Sequence, residues 1–132
     1  MKYLTHYMEA KQTELMGRTK AFFAFGEDQM REAKKNLSIG DDVVLVSMPS
    51  GMIVPKENAE ELHKGLEQIY LDSIKEDKAE NGKDGIILRE LENYESFYTG
   101  CIREAVNALD NYGYTEDEIR KVFNEKRGNY EY

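Results

Sequence analysis

The sequence predicts an α+β fold: a small antiparallel sheet of about three strands packed by four to six helices, with a helical C-terminal half. Three observations carry this. Short β-branched or aromatic runs, bounded by glycine and proline, cluster between residues 20 and 55. Apolar residues at three- and four-residue spacing run through most of the remaining chain. The length of 132 residues, with 40% hydrophobic content, suits one domain that buries its own core, so a single α+β domain over residues 1–132 is expected.

Each element has its own reason. Leu4, Met8 and Leu15, with Tyr7 and the stem of Lys11, share one face of a helix over residues 3–16, which Gly17 is expected to end. Residues 21–25 read Ala-Phe-Phe-Ala-Phe before Gly26, a strand pattern. A helix over 27–37 has Glu27 and Asp28 in its first turn and Lys34 and Lys35 in its last, which suits the helix dipole. Gly40-Asp41-Asp42 is a turn. Residues 43–48 and 52–54 then form a hairpin through a three-residue connection, Pro49-Ser50-Gly51. Residues 21–25 are expected to complete the sheet, because an isolated hairpin is marginal.

Pro55 fits the first position of a long helix to about residue 80, where its missing N–H costs nothing. Leu62, Leu66, Ile69, Ser73 and Ile74 form the inner stripe, and Asn81-Gly82 ends it. Asp84 caps the next helix, which aligns Ile87, Leu91, Tyr94 and Tyr98 as core. After Thr99-Gly100 comes a segment with Ile102, Ala105, Val106 and Leu109 on one face. Residues 110–114 are a loop. Thr115 and Glu118 form a capping box for a last helix that buries Ile119, Val122 and Phe123. Residues 128–132 are expected to fray.

Charge narrows the partners. The net charge is −8, and residues 67–132 hold 16 acidic against 9 basic side chains. Direct binding to nucleic acid is not expected, because a phosphate backbone needs clustered Lys and Arg. No run approaches a membrane span. A single cysteine and no signal-peptide pattern point to a reducing, cytoplasmic setting.

Sites for chemistry are sparse. His6 and His63 fall on separate helices and read as surface residues, so no metal is expected. Cys101 lies near a predicted helix start, a place where a thiol can be activated, but no general base is identifiable, and it reads as a small buried residue. Gly82-Lys83-Asp84-Gly85 lacks the spacing of a phosphate loop and reads as a turn. No catalytic residue, cofactor or metal ligand is assigned. What stands out is tyrosine amid carboxylates in the second half. Glu90, Glu92, Glu95, Asp110, Tyr112, Tyr114, Glu116 and Asp117 are the candidate partner-binding residues, with Tyr112 or Tyr114 as anchors and the acids facing a basic surface.

Residues 2–7 (Lys-Tyr-Leu-Thr-His-Tyr), 21–25, 55–58 (Pro-Lys-Glu-Asn), 81–87, 98–100 (Tyr-Thr-Gly) and 108–113 together carry a resemblance. The chain resembles a group of small uncharacterised acidic proteins encoded by phages and prophages of low-GC Gram-positive and gut bacteria. Residues 38–46 look longer than in that group, and no catalytic residue transfers. The resemblance implies a non-enzymatic accessory protein that binds a host protein, in its sharpest form an anti-defence inhibitor such as one blocking a CRISPR nuclease. The alternatives are a small-molecule binder for a nucleotide signal, using Lys20, Arg31, Lys34 and Lys35 near the aromatic run, or an enzyme of undetected type.

Overall fold

The computed structural model describes residues 2–129. Its elements are α1 (Leu4–Thr19), α2 (Glu27–Asn36), β1 (Leu45–Ser47), β2 (Ile53–Pro55), α3 (Ala59–Asn93), α4 (Ser96–Thr99), α5 (Arg103–Ala108) and α6 (Glu116–Lys126). They form two compact units, one over residues 5–73 and one over residues 74–129 with 2–4. The helix-rich α+β class is as expected, but the sheet has two strands, not three.

In the first unit the hairpin turns at the expected three residues. Val46 faces Val54, the Met48 N–H donates to the Met52 carbonyl, and Gly51 takes φ 92, a conformation that glycine adopts freely. All of β2 is buried, and its alternation divides the core. Val54 packs with Leu15, Ala21, Met52 and Leu62, side chains of α1 and α3 among them. Ile53 points the other way, to Phe22 and Ile39, with Met30 and Ala33 of α2 against them.

The third strand is reduced to one bridge. The Phe22 N–H and carbonyl both bond Ile53, at 2.9 and 2.7 Å. Its neighbours are committed elsewhere: the Ala21 N–H donates to the Met16 carbonyl at the end of α1, and the Phe25 N–H donates to the Gln29 side chain. Backbone groups that close helix ends are not free to extend a ladder.

Helix ends account for the other departures. α1 passes Gly17 and stops where Lys20 adopts φ 60. The 6→1 bond from Ala21 to Met16 closes it as a Schellman turn with lysine in the glycine position. Ser38, at φ 56, closes α2 in the same way through the Ile39 N–H and the Lys34 carbonyl. Pro55 is the last residue of β2, opposite Leu45, and a single 3-10 turn over Lys56–Asn58 precedes α3. Within α3, Gly82 leaves helical geometry (φ 72, ψ 166), so the run is two helices that meet at the expected break. Asp84 lies in the first turn after it.

In the second unit Ile86, Ile87, Leu91, Ile102, Ala105 and Leu109 are buried with the expected face of α6, Ile119, Val122 and Phe123. Phe97 stacks on Phe123 at 5.3 Å. The Thr115 capping box forms in both directions. Tyr94 and Tyr98 do not join this core. Tyr94 continues the helical bonding of α3, with its N–H on the Glu90 carbonyl, and is 36% exposed; Glu95 then adopts φ 55, which rotates the chain into α4, buries Ser96 and Phe97, and leaves Tyr98 outward. The expected fraying of the tail cannot be traced past Asn129: residues 130–132 lie outside the described residues, and Arg127–Asn129 form a 3-10 turn.

Two glycines in helices test the packing by opposite signs. A Cβ on Gly65 of α3 would sit 2.6 Å from the Leu15 side chain, which is 2% exposed, whereas one on Gly17 of α1 would meet nothing within 4 Å. Gly65→Ala is expected to lower stability by about 1–3 kcal/mol through overpacking. Gly17→Ala is expected to raise it by about 0.5–1 kcal/mol. Urea denaturation of both variants checks this; stabilisation by Gly65→Ala would show that α1 and α3 are not in close contact there.

Candidate functional site

Three features of the structure bear on function: one buried polar network and two concave surfaces.

The network lies in the second unit. Asp77 is fully buried and accepts hydrogen bonds from two Arg89 guanidinium nitrogens at 2.8 and 3.0 Å, from Asn81 at 2.7 Å and from the Tyr112 hydroxyl at 2.5 Å. Arg89 also donates to Glu90 at 2.9 Å and to the Lys2 carbonyl at 3.0 Å, and stands 5.8 Å from the centre of the Tyr3 ring. The backbone carbonyl of Tyr112 accepts from Lys78, whose ammonium lies 5.3 Å from the Tyr114 ring. Burial acts most strongly on Asp77 and would raise its carboxyl, but the bonds from Arg89, Tyr112 and Asn81 prevail and hold it below the usual carboxylate range. Burial and the neighbouring carboxylate push the Tyr112 hydroxyl up. Both oxygens of Asp77 and all three guanidinium nitrogens of Arg89 are engaged, which is the arrangement of a structural tie.

This placement corrects part of the expected binding face. Tyr112 is 4% exposed and Glu90 8%, because one bonds Asp77 and the other Arg89. Both are therefore buried side chains of the network and do not stand on the surface as expected. Tyr114 is half-buried against Tyr112, ring centres 5.7 Å apart. Glu116 pairs with Arg103 at 2.9 Å. Asp110 and Asp117 are exposed on the 110–117 segment, whereas Glu92 and Glu95 are exposed at the end of α3. Glu118 is held down to about 2 by Lys83 and by Thr115. That pairing, at 2.7 Å, occupies the lysine of the Gly82–Gly85 turn.

Sequence reasoning named Glu92 and Glu95 but missed the aromatic residues beside them, because it read Tyr94 and Tyr98 as core. Glu92, Glu95, Phe97 and Tyr98 line a concavity of about 420 Å3 around the corner between α3 and α4. Tyr98 is 75% exposed and Tyr94 36%. The signal was hidden because both tyrosines continue the apolar spacing of Ile87 and Leu91, while Tyr94 ends that face part-exposed and the bend at Glu95 takes Tyr98 off it.

The second concavity, of about 750 Å3, lies beside α2 in the first unit. Arg31, Lys34 and Lys35 line it; Lys20, the fourth cation grouped with them from the sequence, is not among its lining residues.

Cys101 is exposed, not buried as expected; its N–H bonds the Thr99 hydroxyl, which holds the residue in the turn before α5. His6 and His63 are exposed on α1 and α3. Among the described residues no three His, Cys, Asp or Glu side chains come together as a metal site, and no helix is long and apolar enough to cross a membrane.

A family model matches residues 4–127. The chain belongs to DUF7659, a family of unknown function. Searches of curated proteins and of solved structures found no match. The DUF7659 match reaches into both units and takes in Asp77, Asn81, Arg89, Glu90 and Tyr112 of the buried network and both concavities; Lys2 and Tyr3 lie before it.

The network predicts a stability profile for this DUF7659 chain. Asp77→Asn takes from Arg89 its two-pronged buried partner, leaving Glu90 as the remaining carboxylate, and is expected to cost about 3 kcal/mol. Tyr112→Phe removes one donor and is expected to cost about 1–3 kcal/mol. The carboxyl of folded Asp77 lies below its unfolded value of about 3.9. Its contribution is therefore complete above that pH and is lost as pH falls through the folded value. In denaturation measured from pH 7 down to 2, the stability gap between wild type and Asp77→Asn should begin to narrow below about pH 4, by at most about 1.4 kcal/mol per pH unit; a gap that stays constant over that whole range would assign the loss to packing.

Proposed function

We propose that the protein is a non-enzymatic binding protein that engages a basic surface of a host protein through the acidic and aromatic corner between α3 and α4. The observation that carries this is the exposed Tyr98 beside Glu92 and Glu95 around a concavity of about 420 Å3. An exposed tyrosine offers contact area at low entropic cost, and its ring face attracts a cation. The two carboxylates accept charge-assisted hydrogen bonds from Arg or Lys. An arginine of the partner, inserted between them and over Tyr98, satisfies both kinds of contact. The acidic excess over residues 67–132 steers such a partner toward this unit.

The sequence resemblance to phage and prophage proteins supports a mobile-element origin and a host target. Inhibition of a defence nuclease is the sharpest form of this reading, since such enzymes carry the basic grooves that an acidic face complements. Asp110 and Asp117 extend the negative field, and Tyr98 with Tyr94 replaces Tyr112 as the anchor.

The test begins with a partner isolated on immobilised wild-type protein from host lysate and then purified. Association and dissociation rates are then measured for two variants. Glu92→Lys with Glu95→Lys is expected to slow association and to flatten its salt dependence. Tyr98→Ala is expected to speed dissociation by about tenfold or more, as for a central aromatic contact. Unchanged rates at low salt for both variants would reduce the corner to a solvated surface.

A further inference from the structure

The cleft beside α2 has the composition of a ligand site and takes no part in the proposed host contact. α2 supplies one wall. Met30, Arg31, Lys34 and Lys35 succeed one another at helical spacing, so the cations stand along a single face above apolar contacts. The floor is Met30, Ile39 and Ala24, side chains that also pack on the Phe22 and Ile53 cluster, so it is fixed by the core beneath it. Phe25 is 89% exposed, and the residues on either side of it both line the cleft. Its backbone N–H is held by the Gln29 side chain at 2.8 Å, which anchors the chain beside the cleft; the ring itself is not among the lining residues and is open to solvent.

The cations are present but weakly committed. Lys34 is largely covered, with 23% of its side chain exposed, and its partner Asp41 stands 3.4 Å away and fully in solvent. Arg31 and Asp28 are 3.6 Å apart and both well exposed. Exposed pairs of this kind are worth about 0–1 kcal/mol, so an incoming anion exchanges for either carboxylate at little cost.

The geometry points to a binding site for a small phosphorylated ring compound, a mononucleotide in size and chemistry. A phosphate takes the place of Asp41 on Lys34 and receives the planar fork of Arg31, with Lys35 adding charge. The ring lies on Met30 and Ile39 and meets the face of Phe25. Glu27 accepts from sugar hydroxyls. A volume of about 750 Å3 is within the range of small-molecule sites. The neighbouring carboxylates, with the net charge of −8, oppose a long phosphate backbone, which separates this ligand from a nucleic acid.

Titration of 15N-labelled protein with AMP, GMP, CMP and UMP, and separately with adenosine and inorganic phosphate, tests the site. At least one mononucleotide is expected to bind saturably with shifts centred on residues 24–41. Adenosine and phosphate alone are each expected to bind about tenfold or more weakly, since each lacks half of the contacts. Arg31→Ala with Lys34→Met, which keeps the aliphatic stem of Lys34, is expected to lower nucleotide affinity by about tenfold or more with the remaining spectrum unchanged. Phe25→Ala is expected to weaken nucleotide and nucleoside but not phosphate. Absence of shifts at residues 24–41 with all four mononucleotides overturns the site. So does wild-type affinity in the double cation variant, and phosphate binding as tight as nucleotide overturns the ring half. The residues differ from those of the α3–α4 corner, so this site and the proposed host contact fail separately.

Discussion

Asp77 and Arg89 stand on either side of the Gly82 break in α3 and are 12 positions apart. On an unbroken helix their backbones would stand about 18 Å from each other, beyond the reach of an arginine and an aspartate together. Yet they meet in a two-pronged bond inside the core. The bond requires the chain to change direction between them, and Gly82 is where it does, in a backbone conformation that other residues adopt at a cost. The rest of the second unit is arranged around this tie. The Tyr112 hydroxyl docks the turn before α6, Asn81 holds the last turn before the break, and the Lys2 carbonyl fixes the N-terminal residues. Removal of two charges from water is expensive, and the pair is tolerable because four donors converge on one carboxylate and Arg89 leaves few N–H groups unanswered.

The first unit is organised by an apolar constraint. A three-residue strand buried on both faces needs cover on each side, and β2 obtains it from α1 and α3 on one face and α2 on the other. The close approach of Gly65 to Leu15 lets α3 lie against α1 over that face. The same layering puts the outer surface of the α2 layer next to the hairpin core, which is why the cleft there has an apolar floor under a cationic wall.

Legibility in the sequence depended on the signal that each element uses. The hairpin was legible because Pro49-Ser50-Gly51 is explicit turn chemistry, and the last helix because Thr115 and Glu118 spell out its cap. Gly82 was legible as a break. Gly17 and Gly65 misled or stayed silent because a glycine inside a helix marks close packing or nothing at all, while three real helix ends carry Lys20, Ser38 and Glu95 in the left-handed conformation. Those ends are imposed by tertiary contacts of the residues just beyond them. Phe22 bridges to Ile53, Ile39 enters the core and Phe97 is buried, and none of these contacts is local. The Glu95 end had the largest functional consequence. It transferred Tyr98 from the expected core to the surface, as the bond to Asp77 transferred Tyr112 from the surface to the core. The cations Arg31, Lys34 and Lys35 were grouped from the sequence because one helix carries all three; the floor beneath them, contributed by Ala24 and Ile39, was not visible.

The distribution of charge separates what holds the protein together from what it presents. The strongest polar contacts, around Asp77, are saturated and sealed, so they have no valence left for a partner or a proton transfer. The ion pairs at the α2 cleft are the reverse: solvent-exposed at one end, long, and easily exchanged. Glu92 and Glu95 stand beside an aromatic ring that the fold has no need to bury. A recognition surface requires groups whose present interactions are cheaper than those a ligand would bring; the exposed pairs of Arg31 and Lys34 meet that requirement, and the buried network does not. The opposite characters of the two concavities, carboxylates with tyrosine at the α3–α4 corner and cations with phenylalanine at α2, suit partners of opposite charge.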